Sequence, residues 1–117
     1  MAVLTDPRST RTMPVDLFRD GDSYVLTADL PGVDPASVDV DVDGRTLTIR
    51  AERTPRSREG VTWMAGERPS GTFARRFSLG DSIARDAISA KYDNGVLSVT
   101  IPVSEAAKPR KVEVVAA

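Results

Sequence analysis

An antiparallel β-sandwich is the fold class this sequence predicts, on three observations. Apolar residues recur at every second position in several short runs, tight-turn dipeptides join some of those runs, and no segment carries the spacing of an amphipathic helix. Several short strands with turn signals and no helix are the pattern of a sandwich. The chain has 117 residues, enough for a single domain with one modest core. Its aromatic side chains are few (Phe18, Tyr24, Trp63, Phe73, Phe77 and Tyr92), so that core should be thin, and association with further copies is a natural source of additional burial.

The elements follow in order. Residues 1–13 hold Pro7, Arg8, Ser9, Thr10, Arg11 and Thr12 without a period and read as a flexible arm. Alternation begins near Val15, where Tyr24, Leu26, Ala28 and Leu30 share one parity and Val25, Thr27 and Asp29 the other. Residues 34–37 are the one stretch able to form a helical turn. Val38, Val40 and Val42 then interleave with Asp39, Asp41 and Asp43, the clearest two-residue period in the chain. Asp43-Gly44 offers a tight turn into Leu47, Ile49 and Ala51. Residues 53–71 break the rhythm. They are rich in Arg, Glu, Pro, Gly and Ser yet carry Val61, Thr62, Trp63 and Met64 at the middle, and loops this long inside compact domains tend to be functional. Alternation resumes with Phe73, Arg75, Phe77 and Leu79, then with Ile88, Ala90 and Tyr92, and Asn94-Gly95 turns the chain into Leu97, Val99, Ile101 and Val103. Residues 104–117 form a polar extension ending in a small apolar patch, Val112-Glu113-Val114-Val115.

Composition excludes several kinds of chemistry. Cysteine and histidine are both absent, which removes Ser-His and Cys-His nucleophile systems and nearly removes zinc. A net charge of -1 gives no row of cations to neutralise nucleic-acid phosphates or an anionic membrane. No run is long and apolar enough to span a bilayer. The start, Met1-Ala2-Val3-Leu4-Thr5-Asp6-Pro7, lacks the basic and then apolar regions of a signal peptide, so a cytoplasmic protein is expected, and the lack of cysteine fits a reducing compartment.

Asp39, Asp41 and Asp43 would share one face of a strand, as a metal or acid–base cluster would require. A solvated face opposite the three valines is the better reading, because soluble strands alternate this way routinely. Asp41-Val42-Asp43-Gly44 resembles the start of a calcium loop but lacks the later ligands. Gly60, Gly66 and Gly71 make no phosphate-cradling motif. No catalytic site, metal site or cofactor is expected. Two features are less ordinary. Arg75 has the parity of Phe73 and Phe77, so it must either find a carboxylate or backbone acceptors, on this or another chain, or extend out at the strand's edge. Val112 and Val114 would point the same way from an extended segment, which suits strand addition at a sheet edge; a frayed terminus is the alternative.

Three motifs resemble one known family. Ala90-Lys91-Tyr92-Asp93-Asn94-Gly95-Val96-Leu97 is similar to the signature of small heat-shock proteins, an alanine and a short polar stretch before Asn/Asp-Gly-Val-Leu, with Ala90, Asn94, Gly95, Val96 and Leu97 at the matching positions. Gly71-Thr72-Phe73-Ala74-Arg75-Arg76-Phe77-Ser78-Leu79 resembles the family's Gly-x-Phe-x-Arg-x-Phe-x-Leu strand. Val15-Asp16-Leu17-Phe18, continuing to Leu30-Pro31-Gly32-Val33, resembles the opening of the α-crystallin domain. The likeness runs through residues 14–103 in order. It implies the immunoglobulin-like antiparallel β-sandwich of the bacterial-type Hsp20/α-crystallin family, with residues 1–13 as a flexible arm, 14–103 as the domain and 104–117 as a C-terminal extension.

The resemblance also implies roles. Val61, Thr62, Trp63 and Met64 would form a strand exchanged onto a partner's sheet beside Val15, Leu17 and Phe18, giving a dimer in which Arg75 is the paired, buried interface arginine. Val112 and Val114 match a tail motif that docks in a groove between two strands of a neighbour, building higher homo-oligomers. The groove, which clients would share, is carried by Val38, Val40 and Val42 on one side and Ala87, Ile88, Ser89 and Ala90 on the other. The function implied is an ATP-independent holdase that binds partly unfolded clients through apolar surface, without enzyme activity. A co-chaperone adaptor of the related sandwich fold is the alternative, and a carbohydrate-binding module is disfavoured by the few aromatics. This sequence departs from the family pattern in three places. Gly80 replaces a usual proline, the tail carries Val at both positions instead of Ile, and the arm's sizeable apolar residues are only Val3, Leu4 and Met13.

Overall fold

The computed structural model describes residues 2–4, 13–54, 58–109 and 111–116. The strands are β1 (Ala2–Leu4), β2 (Val15–Asp20), β3 (Ser23–Asp29), β4 (Asp39–Asp43), β5 (Thr46–Arg53), β6 (Gly71–Ser78), β7 (Ser89–Asp93) and β8 (Val96–Pro102). They form two four-stranded antiparallel sheets, ordered β1-β6-β5-β4 and β2-β3-β8-β7. The antiparallel sandwich expected from the sequence is therefore the fold.

Parity decides what enters the core. Leu47, Ile49 and Ala51 of β5 lie opposite Phe77, Arg75 and Phe73 of β6, and Leu26 and Ala28 of β3 lie opposite Val99 and Leu97 of β8. All of these except Arg75 are buried between the sheets. Phe77 is the largest fully buried side chain among the described residues. The alternate residues of β4, namely Asp39, Asp41 and Asp43, are exposed while Val40 and Val42 are half-buried. Among the described residues no group of three potential ligands could hold a metal ion.

The expected helical turn is a 3-10 turn at Pro35–Ser37, where Asp34 caps by accepting from the Ala36 amide at 3.0 Å. Ser37 then ties the turn to β5, its Oγ accepting from the Glu52 amide at 3.0 Å. Further 3-10 turns occur at Arg85–Ala87 and Glu105–Ala107, which alternation did not signal.

Three expectations need adjusting. The arm is not without regular structure, because β1 pairs with the end of β6 through Ala2↔Ser78, Val3↔Phe77 and Leu4↔Arg76. Met13, counted with the arm, is only 1% exposed and belongs to the core. In the β4–β5 hairpin Asp43 is still paired, with Thr46, so the two-residue loop is Gly44-Arg45 and positive φ falls on Gly44 alone (59°). The β7–β8 hairpin behaves as its sequence suggests: Asn94 (φ 52°) and Gly95 (φ 77°) are both left-handed, as a type I′ turn demands.

Candidate self-association and docking surfaces

The two sheets expose different edges. Arg75 on β6 donates from Nη1 to the carbonyl of Met13, just before β2, at 2.7 Å, and its guanidinium lies 5.9 Å from the Phe77 ring centroid. The contact sets β2 over the β6 side of the facing sheet and leaves β7 and β4 on the opposite side of the sandwich. Arg75 thus answers its inward parity with a backbone acceptor in its own chain, and its half-burial keeps the desolvation cost modest.

At the β4 and β7 edges, Val38, Val40, Val42, Ile88 and Tyr92 are half-buried and pack against the core. Ala90 shares the parity of Ile88 and Tyr92 and pairs with the buried Val99, yet it is exposed, because β7 has no strand beyond it. The inward parity at this edge is therefore 88, 90 and 92. Ser89 takes the outward parity and Ala87 sits in the 3-10 turn, so these two do not join the apolar strip.

The opposite edge is β2. Val15 is half-buried, while Leu17 and Phe18 are 37% and 49% exposed on its two faces. Val61, Thr62, Trp63 and Met64 are all exposed, reaching 94% at Met64, and form no strand within the single chain. The structure does not place Arg75 beside them; its side chain turns toward Met13.

The extension is held as far as Lys108. Val103 donates its amide to Asp22 O and Ser104 to Ser82 O, at 2.8 and 2.7 Å. Lys108 Nζ lies 2.7 Å from a Glu105 carboxylate oxygen and 4.0 Å from one of Asp22. The hydrogen bond that Lys108 donates to Glu105 raises the lysine's pKa above its ordinary value, partly opposed by desolvation and helped by the charges of Glu105 and Asp22. Beyond this hook Val112 and Val114 are almost fully exposed.

The 90–97 hairpin carries more than a turn. Tyr92 Oη donates to Leu30 O at 2.6 Å, and the Leu30 amide donates to Gly95 O at 2.7 Å. A β-carbon on Gly95 would meet Pro31 Cα at 3.3 Å, so the hairpin needs glycine for proximity as well as for φ. Leu97 is buried in the core and Val96 is half-buried. Sequence reasoning assigns Leu30-Pro31-Gly32 to the domain's opening segment but does not bring it against Tyr92 and Gly95, although Pro-Gly marks a turn and the parity of Tyr92 points it inward.

A sequence profile described as the Hsp20/alpha crystallin family matches residues 16–115. The chain belongs to that family. Among its relatives, 18 kDa antigen 2 of Mycobacterium avium is 48% identical over 107 residues, covering 92% of this chain and 77% of that protein. The 18 kDa heat shock protein of Streptomyces albus G is 45% identical over 103 residues, covering 87% and 72%. Of solved structures, a small heat-shock protein from Xylella fastidiosa superposes with a TM-score of 0.76 at 38% identity, covering 92% of this chain and all of that one. The hspA protein of Xanthomonas axonopodis gives 0.70 at 41% identity, covering 81% and 96%. Membership of this Hsp20 family supports a chaperone role, in a family whose members are generally not enzymes.

Proposed function

We propose that this Hsp20 protein is an ATP-independent holdase, assembled as a strand-exchanged dimer and then through its tails, that keeps partly unfolded clients dispersed. One coincidence carries the reading. The large apolar side chains exposed among the described residues all fall in three places: Leu17 and Phe18 on β2, residues 61–64, and residues 112–115. These are the segments to which the family resemblance gives assembly roles.

The physical logic is burial. A side chain such as Phe18, Trp63 or Val112 contributes about 1.5–3 kcal/mol when taken from water to a packed interface. The β2 edge offers unpaired backbone groups, and residues 61–64 of a second copy supply a strand to pair with them. Val112 and Val114 are spaced to enter the strip formed by Val38, Val40, Val42, Ile88 and Ala90. Clients compete for the same strip, and display of many strips on one particle raises avidity without new contacts. Action in the cytoplasm fits a chain without cysteine.

Mass measurement by light scattering after gel filtration tests the assembly. Val112→Asp with Val114→Asp should leave dimers; unchanged large particles refute tail docking, and a wild-type monomer would favour the adaptor reading. Suppression of client aggregation on heating, without nucleotide, tests the holdase. The strip should matter more than the arm, since Met13 is committed to the core and leaves the arm only Val3 and Leu4. Deletion of residues 1–12 should therefore retain protection that Val40→Asp loses; the reverse pattern defeats this ranking.

A further inference from the structure

We infer that Arg53 is a clamp at the neck of the 54–70 loop, a positioning residue that sets how the loop presents residues 61–64 to a second copy. The inference rests on the strand-exchange reading and adds to it the element that aims the exchanged segment.

Arg53 is the last residue of β5, and its register partner is Gly71, the first residue of β6. The loop therefore leaves and re-enters the sheet at this pair. Its guanidinium holds three further points at once. Nε donates to Pro31 O at 2.9 Å, Nη1 donates to Pro69 O at 3.1 Å, and the plane lies 4.8 Å from the Phe73 ring centroid. The bond to Pro69 extends closure of the neck beyond the strand pair, and the bond to Pro31 fastens that neck to the turn beneath the signature hairpin. Trp63, from the segment to be exchanged, and Arg53 line the same cleft of about 330 Å³, together with Gly32, Arg68 and Pro69.

The chemistry needs arginine. A planar fork reaches two carbonyls from fixed directions while stacking on a ring, whereas a lysine ammonium on a flexible stem serves one carbonyl at a time without the stacked plane. The carbonyl-bearing residues Pro31 and Pro69 are exposed, so water replaces the lost donor at either oxygen. Removing the fork should then leave the domain folded while freeing the loop to sample more directions. The added entropy opposes docking on the partner.

The test uses the full chain carrying Val112→Asp and Val114→Asp, so that the dimer is the species in equilibrium. Arg53→Met, which retains the apolar stem, should raise the dimer dissociation constant about tenfold, and Arg53→Lys by less. Thermal midpoints measured at a dilution where every variant is monomeric should agree with the parent. Trp63→Asp is the control for strand exchange itself. If Trp63→Asp dissociates the dimer and Arg53→Met does not, the clamp is overturned and strand exchange stands. A fall in the monomer midpoint parallel to the loss of dimer also overturns it, because Arg53 would then hold the fold rather than aim the loop. A dimer that survives Trp63→Asp defeats strand exchange, and the clamp with it.

Discussion

Replacing Gly95 with alanine isolates what the signature hairpin does. The new methyl group meets two obstacles. A left-handed φ of 77° costs an L-residue about 1–2 kcal/mol, and the β-carbon would stand 3.3 Å from Pro31 Cα, a backbone atom that cannot swing aside. Relief requires the Leu30-Pro31 turn to back away, which stretches the 2.7 Å bond from the Leu30 amide to Gly95 O and forfeits up to about 1 kcal/mol. The sum reaches about 3 kcal/mol. Gly44 is the matched control, since its φ of 59° is equally left-handed but nothing lies within 4 Å of its β-carbon position. Gly44→Ala should therefore cost about 1–2 kcal/mol, the backbone part alone. At about 4 °C per kcal/mol for a domain of this size, the midpoint should fall by up to about 12 °C for Gly95→Ala and by about 4–8 °C for Gly44→Ala. Far-ultraviolet circular dichroism on heating, at one fixed protein concentration because assembly shifts the midpoint, provides the comparison. Equal losses for the two variants would refute the close-approach argument.

Other changes test separate contacts. Tyr92→Phe removes the 2.6 Å bond to Leu30 O and should cost about 1 kcal/mol in urea unfolding; a neutral result would mean the hydroxyl is served equally well by water. Arg75→Met strips the donor from Met13 O and should cost about 1–2 kcal/mol of domain stability, whereas an effect on dimer mass alone would place the arginine's role between chains. Val112→Ile with Val114→Ile adds two methylenes per tail, worth up to about 1.5 kcal/mol when docked, so particles should resist dilution better; weaker particles would count against docking of these side chains. The Lys108 hook has a pKa raised above 10.5. Its contribution is fully present below that value and is lost only as pH rises through the raised one, so a Lys108-dependent change in particle size near neutral pH would contradict it.

The legible part of this fold is the part governed by parity and by turns. Val38, Val40 and Val42 against Asp39, Asp41 and Asp43 are sorted as written, and Asn94-Gly95 makes its hairpin, because a strand's period and a turn's φ are local properties. Pairing between β1 and β6 is not local. Three residues carry no usable period, and their partners lie far along the chain. Met13 looked like arm because a single apolar residue before a strand has no pattern to declare its burial. The clamp at Arg53 was invisible for a related reason: its acceptors are carbonyls of two prolines, and a carbonyl leaves no trace in residue identity. Residues 61–64 have the composition of a strand but no strand geometry here, since a strand needs a neighbouring edge for its backbone groups.

Leu30 and Pro31 present consecutive carbonyls to opposite layers of the sandwich, one taken by Tyr92 from β7 and the other by Arg53 from β5. Each layer thus reaches the same short piece of backbone, which gives the signature hairpin and the neck of the 54–70 loop a common point of reference. The direction of the loop is thereby referred to the hairpin turn, while the cohesion of the domain rests with the buried residues between the sheets.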